Sequence, residues 1–311
     1  MKVLKSQEPK TSTPDDHLQS PPSQDEVFYQ YRGLLFSIAY RMLGSVAEVE
    51  DILQDTFIRW RQSSHQRIQS PRAFLVTILS RLCIQHLQSA RLRREEYVGQ
   101  WLPEPVFTGK CGDPSTAAQN QESLSMAFLL LLEKLTPLER AVFLLHEVFE
   151  YEYSEMAQIV GKSEANCRQI LRRARQHILA ARPRFDTSPE HHHKLLQKFM
   201  AAASGGDLSG FIALLSKDVV LYSDGGGKAD AALNPIYGSD HVARFLLGAI
   251  KKSMPANVLT QVEQINGQPS IIYSLPGRRA GCVLALDIAN GYIQNIYVVT
   301  NPEKLQHLFS V

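Results

Sequence analysis

Cysteine is scarce in this chain of 311 residues: Cys83, Cys111, Cys167 and Cys282 lie far apart, with no Cys-x-x-Cys pair. That spacing excludes a disulfide framework and offers no zinc ligand set, so all four are expected as plain thiols. Long apolar runs are missing too. The longest, Met126 to Leu132, stops at Glu133 and Lys134, well short of the roughly eighteen residues that read as a membrane span. The opening MKVLKSQEPKTSTPDDHLQSPPSQ lacks the apolar core of a secretion signal and is rich in Pro, Ser, Thr and Gln. Residues 1–23 are therefore expected as a disordered tail, and the chain is expected in the cytoplasm with no membrane partner. Neither sign of charge dominates, with 33 Lys+Arg against 31 Asp+Glu and a net charge of +2, so placement along the chain has to decide what each surface attracts. What is present is ordinary globular composition, 44% hydrophobic and 21% charged, in a chain long enough for two or three modules.

The charges are placed unevenly. Arg81, Arg91, Arg93 and Arg94 gather late in one segment, Arg168, Arg172, Arg173, Arg175, Arg182 and Arg184 gather in another, and Glu48 to Asp55 is acidic. Helical spacing runs through Phe28, Tyr31, Leu35, Ile38 and Met42, then through Val46, Val49, Leu53, Phe57 and Trp60, with Gly44 as the break. The second of these helices carries Glu48, Asp51 and Asp55 on its other side, near the N-terminal end where carboxylates are favoured. Ser70 and Pro71 open a third helix, expected to about Glu96, since Ser caps well and Pro suits the first helical position.

Residues 97–122 have little periodicity and read as a linker, with Trp101 anchored against something. A second helical block begins near Gln121. Within it Thr136-Pro137-Leu138-Glu139 forms a capping box that starts a helix through about Phe149. Ser154 to Gly161 reads as a short helix closed by Gly, and Ser163 caps another from Glu164 to about Ala181. The pair is a helix-turn-helix, with Ala157 small at the crossing and Cys167, Ile170, Leu171 and Ala174 turned inward. The outer face then presents Ser163, Asn166, Arg168, Gln169, Arg172, Arg173 and Arg175. Such a face can grip phosphates and read base edges, Arg favouring guanine and Asn or Gln adenine. Gln169 and Arg172 are best placed for bases, Arg173 and Arg175 for phosphates.

After a second linker the texture turns to α+β. Helices at about 190–203 and 207–216 precede a strand from Asp218 to Ser223, a Gly-rich turn, a helix at about 239–252 and four strand-like runs to Thr300, with Asn290-Gly291 as a hairpin turn. The order suggests an antiparallel meander curved against helices around an interior pocket. DGGGK at 224–228 lacks the Gly-x4-Gly-Lys-Ser/Thr spacing of a phosphate loop, so no cofactor is expected. His191-His192-His193 reads as a solvated helix start rather than a metal site. Asp224 stands where a carboxylate base could stand, but no partnered acid or oxyanion donor accompanies it, and no catalytic residue is assigned.

YRGLLFSIAYRMLGSVAEVEDILQDTFIRW followed by SPRAFLVTILSRLCIQHL resembles region 2 of extracytoplasmic-function sigma factors, and LTPLERAVFLLHEVFEYEYSEMAQIVGKSEANCRQILRRARQHI resembles their region 4. These strings cover about half the chain, in the family's order. The resemblance implies two all-α sigma domains, region 2 at 24–97 and a helix-turn-helix region 4 at 121–182, joined by a linker at 98–120. It implies that Glu48, Asp51, Gln54 and Asp55, with Trp60 and Arg61 nearby, dock on the β′ clamp of core RNA polymerase, whose β flap meets region 4. Arg72, Arg81, Gln85, Arg91, Arg93 and Arg94 would open and read the −10 promoter element by capturing flipped bases, and the helix 164–181 would read the −35 duplex.

Three further strings resemble the sigma subgroup with a fused SnoaL-like domain of NTF2-like cone fold: WLPEP (Trp101, Leu102, Pro103, Glu104, Pro105), DGGGK (Asp224, Gly225, Gly226, Gly227, Lys228) and NPEKL (Asn301, Pro302, Glu303, Lys304, Leu305). Locally they also read as a stiff linker with an aromatic anchor, a tight turn, and an Asn cap with Pro opening a last helix. The resemblance implies that residues 190–311, after a linker at 183–189, regulate the sigma core from within the chain, by intramolecular contact and with a pocket open to a small-molecule effector. The rival reading is a stand-alone helix-turn-helix regulator whose C-terminal NTF2-like domain senses a ligand. It has no use for the acidic helix.

Overall fold

A computed structural model describes residues 23–63, 68–95, 97–108, 124–179, 189–253, 257–274 and 281–309. Of the tail expected at 1–23, residues 1–22 lie outside these residues, as does Cys111, while Ser23 is ordered as the cap of the first helix. Cys83, Cys167 and Cys282 are free thiols.

Local rules set the helix boundaries. Ser23 and Glu26 form a capping box at the start of α1 (Gln24–Leu43), and Gly44 ends it at φ 71°, a left-handed conformation that favours glycine. Ser45 caps α2 (Val46–Gln62) by accepting from Glu48 N, and the Ser70 hydroxyl accepts from Ala73 N as α3 (Pro71–Glu95) begins. In the second block Ser125 caps α4 (Met126–Leu132), and Thr136 and Glu139 box α5 (Pro137–Glu147). Gly161, at φ 67°, closes α6 (Tyr153–Val160), and the Ser163 hydroxyl accepts from Asn166 N at the start of α7 (Glu164–Leu179).

The two helical blocks share one hydrophobic core. Leu35, Leu43, Val49, Leu75 and Leu79 from the first pack in the same cluster as Leu144, Met156, Ile159 and Leu171 from the second. Helix α3 lies against α6 and α5, and α1 lies against α5. Burying these apolar stripes on each other is the main force joining the blocks.

The C-terminal unit runs α8 (Pro189–Gly205), α9 (Leu208–Leu214), β1 (Leu215–Asp224), β2 (Ile236–Tyr237), α10 (Ser239–Ser253), β3 (Leu259–Ile265), β4 (Gln268–Ser274), β5 (Gly281–Ala289), β6 (Tyr292–Val299) and α11 (Pro302–Phe309). The sheet order is β2-β1-β6-β5-β4-β3. Strands β3 to β6 are the expected antiparallel meander. Strand β1 departs from it by pairing parallel with β6, through a crossover that includes α10, as a parallel pair requires. The two-residue β2 is too short to leave a periodic signal.

One sheet face packs Leu221, Leu284, Leu286 and Ile296 against Leu196, Phe199, Phe211 and Val242 of the helices. The other packs Ile272, Val283, Ala285, Tyr297 and Val299 against Leu102, Met126 and Ala127, with Leu305 and Leu308 of α11. Strand β5 is apolar almost throughout because both of its faces are covered. The second face is covered partly by the linker and by α4, so the C-terminal unit completes its core with pieces of the sigma-like part. The histidine run is not uniformly solvated as expected. His191 and His193 are exposed, but His192 is 5% exposed and burial lowers its imidazole pKa, because the helical turn points the middle residue inward.

Candidate functional site

Helix α2 turns Val49, Ile52, Leu53, Thr56 and Trp60 into the core, which leaves Asp51, Gln54 and Asp55 in solvent. Glu48 is half-buried, with Oε1 3.1 Å from His86 Nε2. Trp60 corrects the sequence reading. It is 3% exposed, donates from Nε1 to Gln24 O at 2.8 Å and packs on Phe74, so it anchors the bundle and offers no docking surface. The 3.6-residue period through Val49 and Leu53 already placed it on the inner face. Arg61 is exposed, its guanidinium 5.8 Å from the Phe57 ring and 3.8 Å from Asp25. Beside it Tyr29 and Ile58 are exposed at 65% and 45%, an apolar rim to the acidic face that the sequence reading missed.

The outer face of the helix-turn-helix is open. Ser163, Asn166, Arg168, Gln169, Arg172, Arg173 and Arg175 are exposed, while Cys167, Ile170, Leu171 and Ala174 are buried. Arg168 bonds Glu164 at 2.9 Å with its guanidinium 4.9 Å from the Tyr153 ring, and Arg175 bonds Glu147 at 2.6 Å. These carboxylates hold two of the arginines in place. Asn166, Gln169, Arg172 and Arg173 project into solvent.

Helix α3 is different, because α6 lies across it. The guanidinium of Arg72 sits 5.3 Å from the Tyr151 ring. Arg81 donates to Ile159 O and Gln158 O, both at 2.9 Å, at the C-terminal end of α6. Gln85 is exposed. The side chains of Arg91, Arg93 and Arg94 lie outside the described residues. A reciprocal contact runs the other way: Arg140 on α5, 3% exposed, donates from Nη1 to Met42 O at 2.6 Å and pairs with Glu133 at 2.8 Å. Each block thus places an arginine on the carbonyls that end a helix of the other, where the dipole favours a cation. Arg140 went unnoticed in the sequence, although a charge inside the apolar stripe of Ala141, Val142 and Leu145 was a readable signal.

The three marked strings converge on one cluster. The Trp101 ring covers Gly44, where a Cβ would meet it at 2.8 Å. Leu102, Pro103, Glu104 and Pro105 are buried. Glu104 caps α2, its two carboxylate oxygens each accepting at 2.7 Å, from Ser45 Oγ and Val46 N, while its own N–H donates to Gly44 O at 2.8 Å. Asp224, fully buried at the end of β1, accepts from Tyr97 Oη at 2.6 Å, Leu102 N at 2.8 Å and Lys304 Nζ at 2.7 Å. Lys304 also donates to Leu102 O and stands 4.4 Å and 5.0 Å from the Trp101 and Tyr97 ring centres. Burial, reinforced by the bond to Asp224, pushes the Tyr97 phenol up, which keeps it a donor.

Gly226, at φ 57°, lets Asn301 reach Tyr97, since a Cβ there would meet Asn301 Nδ2 at 2.2 Å. Gly225 is packed just as tightly on Ala229 O, and Gly227 at φ 70° faces Val98. Lys228 pairs with Glu303. Asn301 Oδ1 accepts from Glu303 N at 3.1 Å as Pro302 opens α11, and Leu305 is buried in the sheet face. The local readings as anchor, turn and cap therefore coexist with the cluster. Among the described residues no three His, Cys, Asp or Glu are grouped to hold a metal, and no helix is long and apolar enough to cross a membrane.

Residues 27–93 match the family Sigma-70 region 2, and residues 125–178 match Sigma-70, region 4. The chain is 37% identical over 286 residues to the ECF RNA polymerase sigma factor SigJ of Mycobacterium tuberculosis, across 89% of this chain and 91% of that protein. It is 32% identical over 281 residues to the probable ECF RNA polymerase sigma factor SigI of the same species, across 89% and 93%. The crystal structure of M. tuberculosis SigJ superposes with a TM-score of 0.72 at 34% identity, covering 89% of this chain and 96% of that one.

Proposed function

The chain belongs to the extracytoplasmic-function sigma factors of the sigma-70 family, and from that premise we propose how its parts share the work of directing transcription initiation. Sigma factors bind core RNA polymerase and promoter DNA. Here the assignment is region 2 at 24–97, a linker at 98–120, region 4 at 121–182, a second linker at 183–189 and a regulatory NTF2-like domain at 190–311. Asp51, Gln54 and Asp55 dock on the β′ clamp, with Glu48 and Arg61 at the border and Tyr29 and Ile58 as the apolar rim. Region 4 meets the β flap and reads the −35 duplex through Asn166, Gln169, Arg172 and Arg173, with Ser163, Arg168 and Arg175 on the backbone. Arg72, Arg81, Gln85, Arg91, Arg93 and Arg94 serve the −10 element.

The single observation that carries the mechanism is that α6 lies across α3. Elements at −35 and −10 are about 25 base pairs apart, roughly 85 Å along a duplex at ~3.4 Å per pair. Arg81 of region 2 touches Gln158 of region 4 at 2.9 Å. The packed arrangement cannot span a promoter, so it is the inactive state, and the two blocks separate before initiation. The regulatory domain favours the packed state by holding the linker through Asp224 and Lys304 and by burying α4 on its sheet. A signal shifts that equilibrium. A small-molecule effector is one candidate for that signal. The polymerase face and the −35 face stay open in the packed state.

Transcription in vitro with purified core polymerase, on promoters selected from a random library, tests this reading. Promoter-dependent initiation that rises with Asp224→Asn supports it. Duplex binding without initiation by either form would favour the stand-alone regulator.

A further inference from the structure

The regulatory domain contains two hairpins with the same two-residue turn. Asn290-Gly291 links β5 to β6 with φ of 53° and 77°, and Asn266-Gly267 links β3 to β4 with φ of 52° and 74°. Both fit the type I′ turn, in which Asn and Gly accept positive φ at both central positions. Turn tips belong in water, and Asn290 is exposed there. Asn266 is 1% exposed. Backbone geometry is the same in the two turns, so it does not account for the burial of one of them.

The Asn266 amide meets three separate parts of the chain. Its Oδ1 accepts from Val106 N of the linker at 2.9 Å, and its Nδ2 donates to Tyr40 Oη of α1 at 2.7 Å and to Leu124 O, just before α4, at 3.1 Å. The partners fix the amide orientation, because Val106 N can only donate and Leu124 O can only accept. Tyr40, itself 1% exposed, passes the connection on by donating to Glu104 O at 2.6 Å. The surrounding backbone follows. Asn266 N donates to Val106 O and Thr108 N to Gln264 O, both at 2.9 Å, and Phe107 bridges Ile265, so the linker is added to the edge of β3.

We propose that Asn266 is the positioning residue through which the regulatory domain holds both sigma domains packed: one amide joins region 2, the linker and the start of region 4. The proposal rests on the reading of the packed state as inactive. The Asp224 cluster grips the linker and reaches α1 through the Trp101 ring on Gly44. The Asn266 node bonds α1, the linker and the first residues of region 4 at a single side chain, so its release frees all three together.

The test compares full-length Asn266→Gly with full-length Asn290→Gly. Glycine supports the same turn at both positions, so any cost to the hairpin is common and only the first variant loses the buried amide bonded to Val106, Tyr40 and Leu124. Tyr40→Phe removes the same connection from the region 2 side and answers if Asn266→Gly folds poorly. The readouts are promoter-dependent transcript and the distance between dyes at Gln62 and Lys162, both exposed. Asn266→Gly and Tyr40→Phe are expected to raise transcript at least about fivefold and to lengthen the distance, while Asn290→Gly does neither. Equal behaviour of the two glycine variants, with Asp224→Asn still raising output, overturns the role of Asn266 alone. No response to Asp224→Asn as well removes the reading on which it rests.

Discussion

Arg140→Met isolates the direct contact between the two sigma domains. The arginine lies on region 4 and away from its DNA face, so its loss does not touch promoter reading. The bond to Glu133 stays within region 4, and the one to Met42 O crosses to region 2. The crossing bond is given up when the domains separate. A hydrogen bond to a charged group contributes about 1.5–3 kcal/mol net. Methionine keeps much of the stem's volume, and Glu133, 26% exposed at its side chain, can turn to water. The packed state therefore loses about 1.5–3 kcal/mol relative to the separated one, a shift of about 10- to 150-fold in their ratio. The assay pairs run-off transcription by core polymerase with the distance between dyes at Gln62 and Lys162. Transcript should rise and the distance lengthen, both saturating once most chains are open. A variant that folds like the parent but matches it in transcript and distance would refute the clamp.

Three other outcomes follow from the geometry. Trp60→Ala should destabilise the chain by about 3–5 kcal/mol, the cost of truncating a buried aromatic, whereas Asp51→Ala with Asp55→Ala should leave thermal unfolding nearly unchanged and weaken polymerase binding; the reverse pattern would return Trp60 to the docking face. Arg172→Ala should cost about 1–3 kcal/mol at the preferred −35 sequence and relax its specificity, while Arg173→Ala should weaken all duplexes alike and lower the salt slope by about one, as measured by competition binding at several salt concentrations. Burial holds the Asp287 carboxyl above its usual range, against the smaller lowering by Asn295, so the folded domain keeps a proton that the unfolded chain releases. Its contribution is full below the unfolded pKa of about 3.8 and is lost as pH rises through the folded value. Asp287→Asn should therefore raise the Tm at pH 8 and change it least near pH 4, a trend that thermal unfolding across pH would confirm or reverse.

Much of the helical part was legible because its signals are local. Caps act across three residues, as Ser23 with Glu26 and Thr136 with Glu139 do, and the 3.6-residue period marks which side is buried. Trp60 went wrong for a reason within reach of the same rule: its nearness in sequence to the acidic residues was read as nearness on the surface. His192 is a similar case. The strings at 101–105, 224–228 and 301–305 were visible one by one, but their meeting was not, since nothing in a linker, a turn and a cap says that Asp224 will bond Tyr97 and Leu102.

By itself the sequence determined most of the helices, the helix-turn-helix with its basic outer face, the acidic face of α2 and the C-terminal meander with its Asn290-Gly291 turn. Each depends on residues a few positions apart, where backbone sterics and one or two hydrogen bonds decide. Tertiary structure alone decided that α6 covers α3, that Arg81 and Arg140 cap each other's domains, that β1 joins β6 in parallel, and that a hairpin tip is buried. Those contacts join residues up to 226 positions apart, Asn266 to Tyr40, and depend on which apolar faces find each other once the local elements exist. Two Asn-Gly turns of the same conformation stand in one domain, and only the packing around them gives one of them three partners.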